Sequence, residues 1–205
     1  MATWAKFITI GMVPLLLQHA FKEWAVICEA LARGNQALIL RKGGIAEEKG
    51  EFAVQHKRFW LYPTFVHQQS EGIKPEAQTL LLETIAQRPA DGVVRLTHFC
   101  EVAAVYHVED LYDALKMAGL HVWSESTIEA RFNYRRPGLY VLAVRVFRAQ
   151  QITELPETES YLGCKSWVEL DRGLSTEDAE PVLNDEAFDE VTTKLDILLQ
   201  PPAYG

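Results

Sequence analysis

"LLLQHAFKEWAVICEALARGNQALILRKGGI", residues 15–45, decides how the rest of the chain is read. Leu17, Phe21, Trp24, Cys28 and Leu31 recur at helical spacing, which predicts a helix over 15–33 with a wide apolar face. Gly34 stands at the natural stop position of such a helix. Four apolar residues in a row, Ala37 to Leu40, then predict a strand covered on both faces, within Gln36 to Arg41. That strand empties into Arg41, Lys42, Gly43 and Gly44. Two readings of the junction stand side by side. In one, the Arg41 guanidinium offers a planar fork to phosphate or carboxylate, and the glycines allow close backbone approach with exposed N–H groups. In the other, the glycines simply permit a turn where a strand ends.

Moving outward, Lys42 to Glu51 reads as a loop with a Glu47–Glu48–Lys49 cluster. Phe52, Val54 and His56 then alternate with polar or small neighbours, and "RFWLYPTFV" (58–66) predicts strand material bent at Pro63. "PEAQTLLLETIAQR" (75–88) predicts a helix with proline as its first residue. "VVRLTHFCEVAAVYHV" (93–108) is long enough for one bent strand or two short ones. "EDLYDALKMAG" (109–119) is helical and closed by Gly119. Ser126 and Glu129 have capping-box spacing and predict a short helix, "TIEARF". Pro137-Gly138 marks a turn into the strand "LYVLAVRVFR" (139–148). Residues 150–165 read as loop, "SWVEL" (166–170) as a short strand, and Asn184 as the cap of a last helix, "DEAFDEVTTKLDILL" (185–199). Helices between groups of strands make a mixed α+β domain. One domain over 1–205 is expected, with 171–205 as an acidic connection plus a C-terminal helix.

Composition narrows the function classes. The 205 residues are 48% hydrophobic and 23% charged, ordinary globular material. The net charge of -8 argues against a grip on duplex nucleic acid through many phosphates. The charge is uneven: residues 1–60 hold eight Lys/Arg against five Asp/Glu, and residues 151–205 hold three against thirteen. A modest basic face in the N-terminal half is therefore compatible with an acidic whole. Cys28, Cys100 and Cys164 are far apart, with neither a disulfide framework nor a zinc knuckle, and a cytoplasmic location is expected. The apolar run Phe7 to Leu17 contains Pro14 and is too short to span a bilayer, so no membrane association is expected.

Strong catalytic signatures are missing: there is no phosphate-binding loop, dinucleotide fingerprint, nucleophile elbow or zinc-protease motif. His98 and Cys100 could share a strand face, but two ligands do not make a metal site. Neither a metal nor a cofactor is expected. Glu47, Glu48 and Lys49 have the literal (D/E)xK spacing of magnesium-dependent nucleases, in which carboxylates hold the metal and lysine positions water. They fall in a loop, and Glu101 on its strand has no lysine two residues on. Cys164 beside Lys165 could be a lowered-pKa thiol or part of a tight turn. The remaining polar residues mix cations with aromatics: Arg41, Lys42, Arg58, Trp60, Tyr62, Arg131, Tyr134, Arg135, Arg136 and Trp167. Such a mixture suits base stacking and phosphate contact, or a solvated sheet edge.

The stretches "AFKEWAVICEALARGNQALILRKGGI" (20–45), "RFWLYPTFVHQ" (58–68), "RFNYRRPGLYVLAVRVFR" (131–148) and "YLGCKSWVEL" (161–170) resemble the DUF1802 family, seen in bacteria. The resemblance covers about residues 20–170 and beyond, and it implies that residues 1–19 are an N-terminal extension upstream of the family's usual start. It implies a family, not an activity. Helix, Gly34, strand and Arg41 are also similar to the ASCH branch of PUA-like barrels, whose motif GxKxxExR keeps its glycine and arginine here. Its lysine and glutamate positions hold Gln36 and Ile39. This second resemblance implies a partly open β-barrel with flanking helices, and a cleft beside the first helix for a nucleotide or RNA.

Together these readings lead to a binding module for a nucleotide or single-stranded RNA or DNA, without catalysis. Arg41 and Arg135 are expected to meet phosphate, Trp60 and Tyr62 to stack, Lys42 and Arg58 to add charge, and Gly43 and Gly44 to allow approach. The alternatives are a metal-dependent phosphodiesterase using Glu47, Glu48 and Lys49 or Glu101, and a protein-interaction partner acting through its acidic C-terminal region.

Overall fold

The computed structural model describes residues 16–42, 47–48, 51–52, 56–66, 68–163 and 165–199, with backbone alone at 47–48 and 51–52. The chain begins with a strand, β1 (Leu16–Trp24), which runs without a break into helix α1 (Ala25–Ala32). The expected helix over 15–33 is thus half strand. The physical reason lies in β1's surroundings: it pairs in parallel with β5 (Arg58–Thr64) on one side and antiparallel with β8 (Trp167–Ser175) on the other. A register shift between Leu17 and His19 changes the parity of the strand. Leu17 and Ala20 consequently enter one core and Phe21 the other. A strand buried on both faces has the same dense apolar composition as a buried helix.

Helix α1 ends as expected. The Asn35 N–H bonds to Ala30 O at 2.9 Å and the Gly34 N–H to Leu31 O at 3.1 Å, a Schellman closure with Gly34 at φ +71°. β2 (Leu38–Arg41) follows, and Leu38, Ile39 and Leu40 are completely buried. Each contributes about 1.5–3 kcal/mol of transfer free energy. Two-residue strands β3 (Glu47–Glu48) and β4 (Glu51–Phe52) pair with each other where a loop was expected.

Beyond β5, a 3-10 turn (Pro75–Ala77) leads into α2 (Gln78–Ala86). β6 (Val93–Val108) and β7 (Leu139–Pro156) form a long antiparallel ribbon, with register shifts between Leu96 and His98 and between Val102 and Ala104. Of the two alternatives at 93–108, one bent strand or two short ones, the single strand is present. β7 continues to Pro156, through residues that read as loop. Between the two strands lie α3 (Leu111–Lys116), a 3-10 turn (Met117–Leu120) and α4 (Glu125–Asn133). Ser124 caps α4, accepting from Thr127 N at 3.3 Å, so the expected cap at Ser126 is two residues off. After β8, β9 (Glu180–Pro181) pairs with β7, and Asn184 caps α5 (Asp185–Leu199) through Ala187 N at 2.8 Å.

Among the described residues the seven strands other than β3 and β4 form one mixed sheet in the order β2-β7-β6-β5-β1-β8, with β9 added on β7. It does not close on itself: the architecture is the expected mixed α+β class with flanking helices, and the expected partly open barrel takes the form of this unclosed sheet. Both faces are covered. The larger core holds Phe21, Ile27, Leu38, Ile39, Phe59 and Leu61 with the helices. The smaller holds Leu17, Trp60, Tyr62, Leu96, Phe99 and Leu170. Alternate residues of β5 serve the two cores in turn, as a period of two requires. Among the described residues no helix is long and apolar enough to cross a membrane.

Candidate functional site

The parallel pairing of β1 and β5 brings both carboxyl ends to the same edge of the sheet, with Glu23 opposite Pro63 and Trp24 opposite Thr64. A crevice beyond such strand ends is a common ligand position in parallel sheets. Here it is a cavity of about 520 Å³, closed by the end of β2, the 88–95 turn, Arg131 of α4, and residues 157 and 162–166. Six cationic side chains line it (Lys22, Arg41, Arg88, Arg95, Arg131 and Lys165) against three carboxylates (Glu23, Asp91 and Glu157).

Not all of that charge is available. Arg88 pairs with Asp91 at 3.0 Å, and Arg95 with Glu154 at 2.8 Å. The floor is built on Glu23, whose side chain is 2% exposed and lies 3.5 Å from Arg41 Nη1 and 3.8 Å from Arg131 Nη2. The Trp24 N–H donates to its Oε1 at 2.9 Å. One buried carboxylate thus faces two guanidinium groups, and the floor keeps a net positive charge. Each arginine is braced on carbon. Arg41 lies 4.5 Å from the centre of the Phe21 ring and donates to Ser166 Oγ. Arg131 lies 5.1 Å from Trp24 and 5.0 Å from Trp123, and donates to Leu40 O at 3.2 Å. Burial lowers the Arg131 pKa; Glu23 opposes that change and Arg41 adds to it. Lys22 Nζ bonds to the carbonyls of Tyr161 and, at 3.3 Å, Gly163. Lys165 is exposed and makes no ion pair among the described residues. Trp24 and Phe65 supply aromatic wall.

The expected site residues separate. Arg41 lines this cavity. Lys42 lies round the corner on a second one, its ammonium gathering the carbonyls of Phe132 (2.6 Å), Gly138 (2.8 Å) and Arg136. Burial, then Arg136, lowers its pKa. Gly43, Gly44 and Lys49 lie outside the described residues. Arg58 lies over Phe99 at 5.2 Å and within 3.4 Å of Thr176 Oγ1, away from the cavity. Trp60 is buried in the smaller core with Nε1 donating to Leu17 O at 2.9 Å, so its ring has no free face for a base. Tyr62 is buried in the same core and does not line the cavity; its hydroxyl donates at 2.7 Å to Glu157, which does. Burial and then Glu157 push the phenol pKa strongly upward. Arg135 is exposed at φ +63° with its guanidinium 5.1 Å from the Tyr134 ring.

The residues that sequence reading overlooked are Lys22, Glu23 and Trp24, all hidden within the expected helix. A lone acid inside the apolar run "AFKEWAVIC" was the one signal for Glu23. Glu47 and Glu48 sit in the short hairpin, while Glu101 is half exposed, 4.0 Å from Arg58. Among the described residues no group of three or more His, Cys, Asp or Glu side chains could hold a metal ion. Cys164 lies outside the described residues.

The family model of DUF1802, whose description is "domain of unknown function", matches residues 20–194. No curated protein matches the sequence. Among solved structures, ASCH from Zymomonas mobilis is similar at a TM-score of 0.42 and 12% identity, over 85% of this chain and 93% of that one. A point mutant of that protein is similar at 0.43 and 12%, over 89% and 99%. A second mutant is similar at 0.42 and 11%, over 85% and 96%.

Proposed function

We infer the function of this chain, which belongs to the DUF1802 family, from the cavity at the carboxyl ends of β1 and β5. It is a binding module for a nucleotide or single-stranded nucleic acid, without catalysis. The observation that carries this reading is the pair of guanidinium groups, Arg41 and Arg131, converging on the single carboxylate of Glu23. Guanidinium is planar and weakly hydrated, and it matches the bidentate geometry of phosphate oxygens. A half-compensated pair behind apolar walls holds more positive potential than one exposed to bulk water. Lys22 and Lys165 extend that charge along the cavity. Phe65, beside the wall formed by Trp24, takes the stacking role expected of Trp60 and Tyr62. The volume of about 520 Å³ is in the usual range for small-molecule sites.

The test is fluorescence anisotropy of labelled oligouridine, with UMP as competitor, across a series of salt concentrations. Contact with about three phosphates of a single strand gives a slope of roughly -2 in log K against log salt. Lys165→Ala, a change at an exposed position, makes that slope shallower by about 0.7. Absence of binding at low salt refutes the reading.

A further inference from the structure

We propose that the site takes a strand rather than an isolated nucleotide: one nucleotide occupies the cavity and the next lies on a lip formed by residues 134–136. This rests on the binding reading above. A second cavity of about 460 Å³ lies against the first, and Trp24 and Arg131 line both. The shared wall is fixed from two sides. Arg131 covers the Trp24 ring at 5.1 Å, and the far edge of that ring lies over Gly72, where an added Cβ would come within 2.8 Å of it. Gly72 is held in turn by α4, its carbonyl accepting from Ser124 N at 3.0 Å and Thr127 Oγ1 at 3.1 Å.

The outer side of the second cavity ends at Tyr134, which is 56% exposed, with Arg135 stacked on its ring. An exposed aromatic ring backed by a guanidinium is the combination on which single-stranded bases stack. Lys42 keeps this lip in place by tying three carbonyls, Phe132, Arg136 and Gly138, to one ammonium. That fixes the backbone on both sides of Arg135, the residue held at positive φ. The one carboxylate lining the second cavity, Glu71, faces two cations there, Lys42 and Arg131. The motif "RFNYRRPG" therefore carries the outer subsite, and Arg41 the inner one.

The experiment is calorimetric titration of the full chain with UMP, U2 and U4, and with the matching deoxythymidine ligands. It is repeated with Tyr134→Ala and Tyr134→Phe. U4 is expected to bind about 5- to 100-fold tighter than UMP, the range of one stacked base. Tyr134→Ala removes that gain and leaves UMP binding unchanged, and Tyr134→Phe keeps the gain. Tighter binding of the uridine series assigns the strand to RNA, and equal binding assigns it to either nucleic acid. If UMP binds but U4 is no tighter, or if Tyr134→Ala leaves U4 unaffected, the strand inference is overturned while the cavity reading stands. If neither UMP nor U4 binds, both fall.

Discussion

Replacing Glu23 by glutamine moves stability and ligand affinity in opposite directions. The wild-type carboxylate is buried, accepts from the Trp24 N–H at 2.9 Å, and lies 3.5 Å and 3.8 Å from two guanidinium groups. Removing one partner of a buried ion pair outright costs about 3–5 kcal/mol. Glutamine keeps an acceptor for Trp24, and both arginines retain some exposure to water, 17% for Arg41 and 21% for Arg131. The loss therefore falls to about 1–2 kcal/mol, or a drop in Tm of about 3–6 °C for a chain of this size. A bound phosphate would compete with Glu23 for the same guanidinium groups. At a separation of about 8 Å and an effective dielectric constant of about 20, their repulsion is about 2 kcal/mol. Screening through the open mouth of the cavity roughly halves it. Glu23→Gln is thus expected to bind UMP about 5- to 30-fold more tightly while melting earlier. Differential scanning calorimetry without ligand and isothermal titration with UMP measure the two effects. A folded Glu23→Gln protein that binds UMP no better than wild type refutes the competition on which the site is argued.

Gly34→Ala combines a positive φ of +71° with a Cβ placed 2.8 Å from Leu183 Cδ2. It should lose about 2 kcal/mol in urea denaturation, most of it from the left-handed backbone; an unchanged midpoint contradicts the Schellman closure. Trp60→Phe should lower stability by about 1–2 kcal/mol through lost packing and the Leu17 hydrogen bond, yet leave UMP affinity unchanged. An affinity loss in that variant would return Trp60 to the site. Burial, reinforced by Arg148, pushes His98 down to about 4, and burial, reinforced by Lys74, pushes His121 down to about 3. Both imidazoles are more acidic folded than unfolded, so their contribution is complete above about pH 6.5 and is lost as pH falls towards those values. Neither ring nitrogen of His121 has a hydrogen-bond partner among the described residues. His121→Phe should therefore stay within about 1 kcal/mol of wild type at pH 7. It should also flatten the acid limb of stability by up to about 1.4 kcal/mol per pH unit. Parallel limbs for the two proteins would contradict the assignment.

Much of the fold could be read from local pattern, and the exceptions share a cause. β2 was legible because Leu38, Ile39 and Leu40 leave no polar face, and the start of α5 because Asn184 caps an acidic first turn. β1 was not, because a strand enclosed by β5 and β8 and bulged at Leu17–His19 spaces its apolar residues as a helix does. The far end of β7 was missed because residues 150–156 are mostly exposed and polar, held by pairing with β6 rather than by burial. The site followed the same division. Arg41, which lines the cavity, is legible because it ends a recognisable strand. Lys22, Glu23 and Trp24 were lost with the misread element, since their proximity to Arg131 depends on pairings between distant segments. Trp60 and Tyr62 drew attention for being aromatic, but on a strand covered on both faces aromatic residues are core.

The distribution of charge ties this architecture to the kind of ligand it can accept. The chain carries -8 overall, and residues 151–205 alone carry three cations against thirteen acids. Much of that acid lies on β8, β9 and α5, and Asp171, Glu180, Asp185 and Glu186 are exposed. A duplex presents one charge per about 1.7 Å of its axis, and a chain of net charge -8 repels such a stiff polyanion as a whole. In the proposed mode a single strand would bend from the cavity over Trp24 to Tyr134, with its backbone among Lys42, Arg131 and Arg135. On the binding reading proposed above, the acidic residues disfavour the stiffer polyanion while the cationic cavity favours the flexible one. Strand-form discrimination then requires no contact that reads a base.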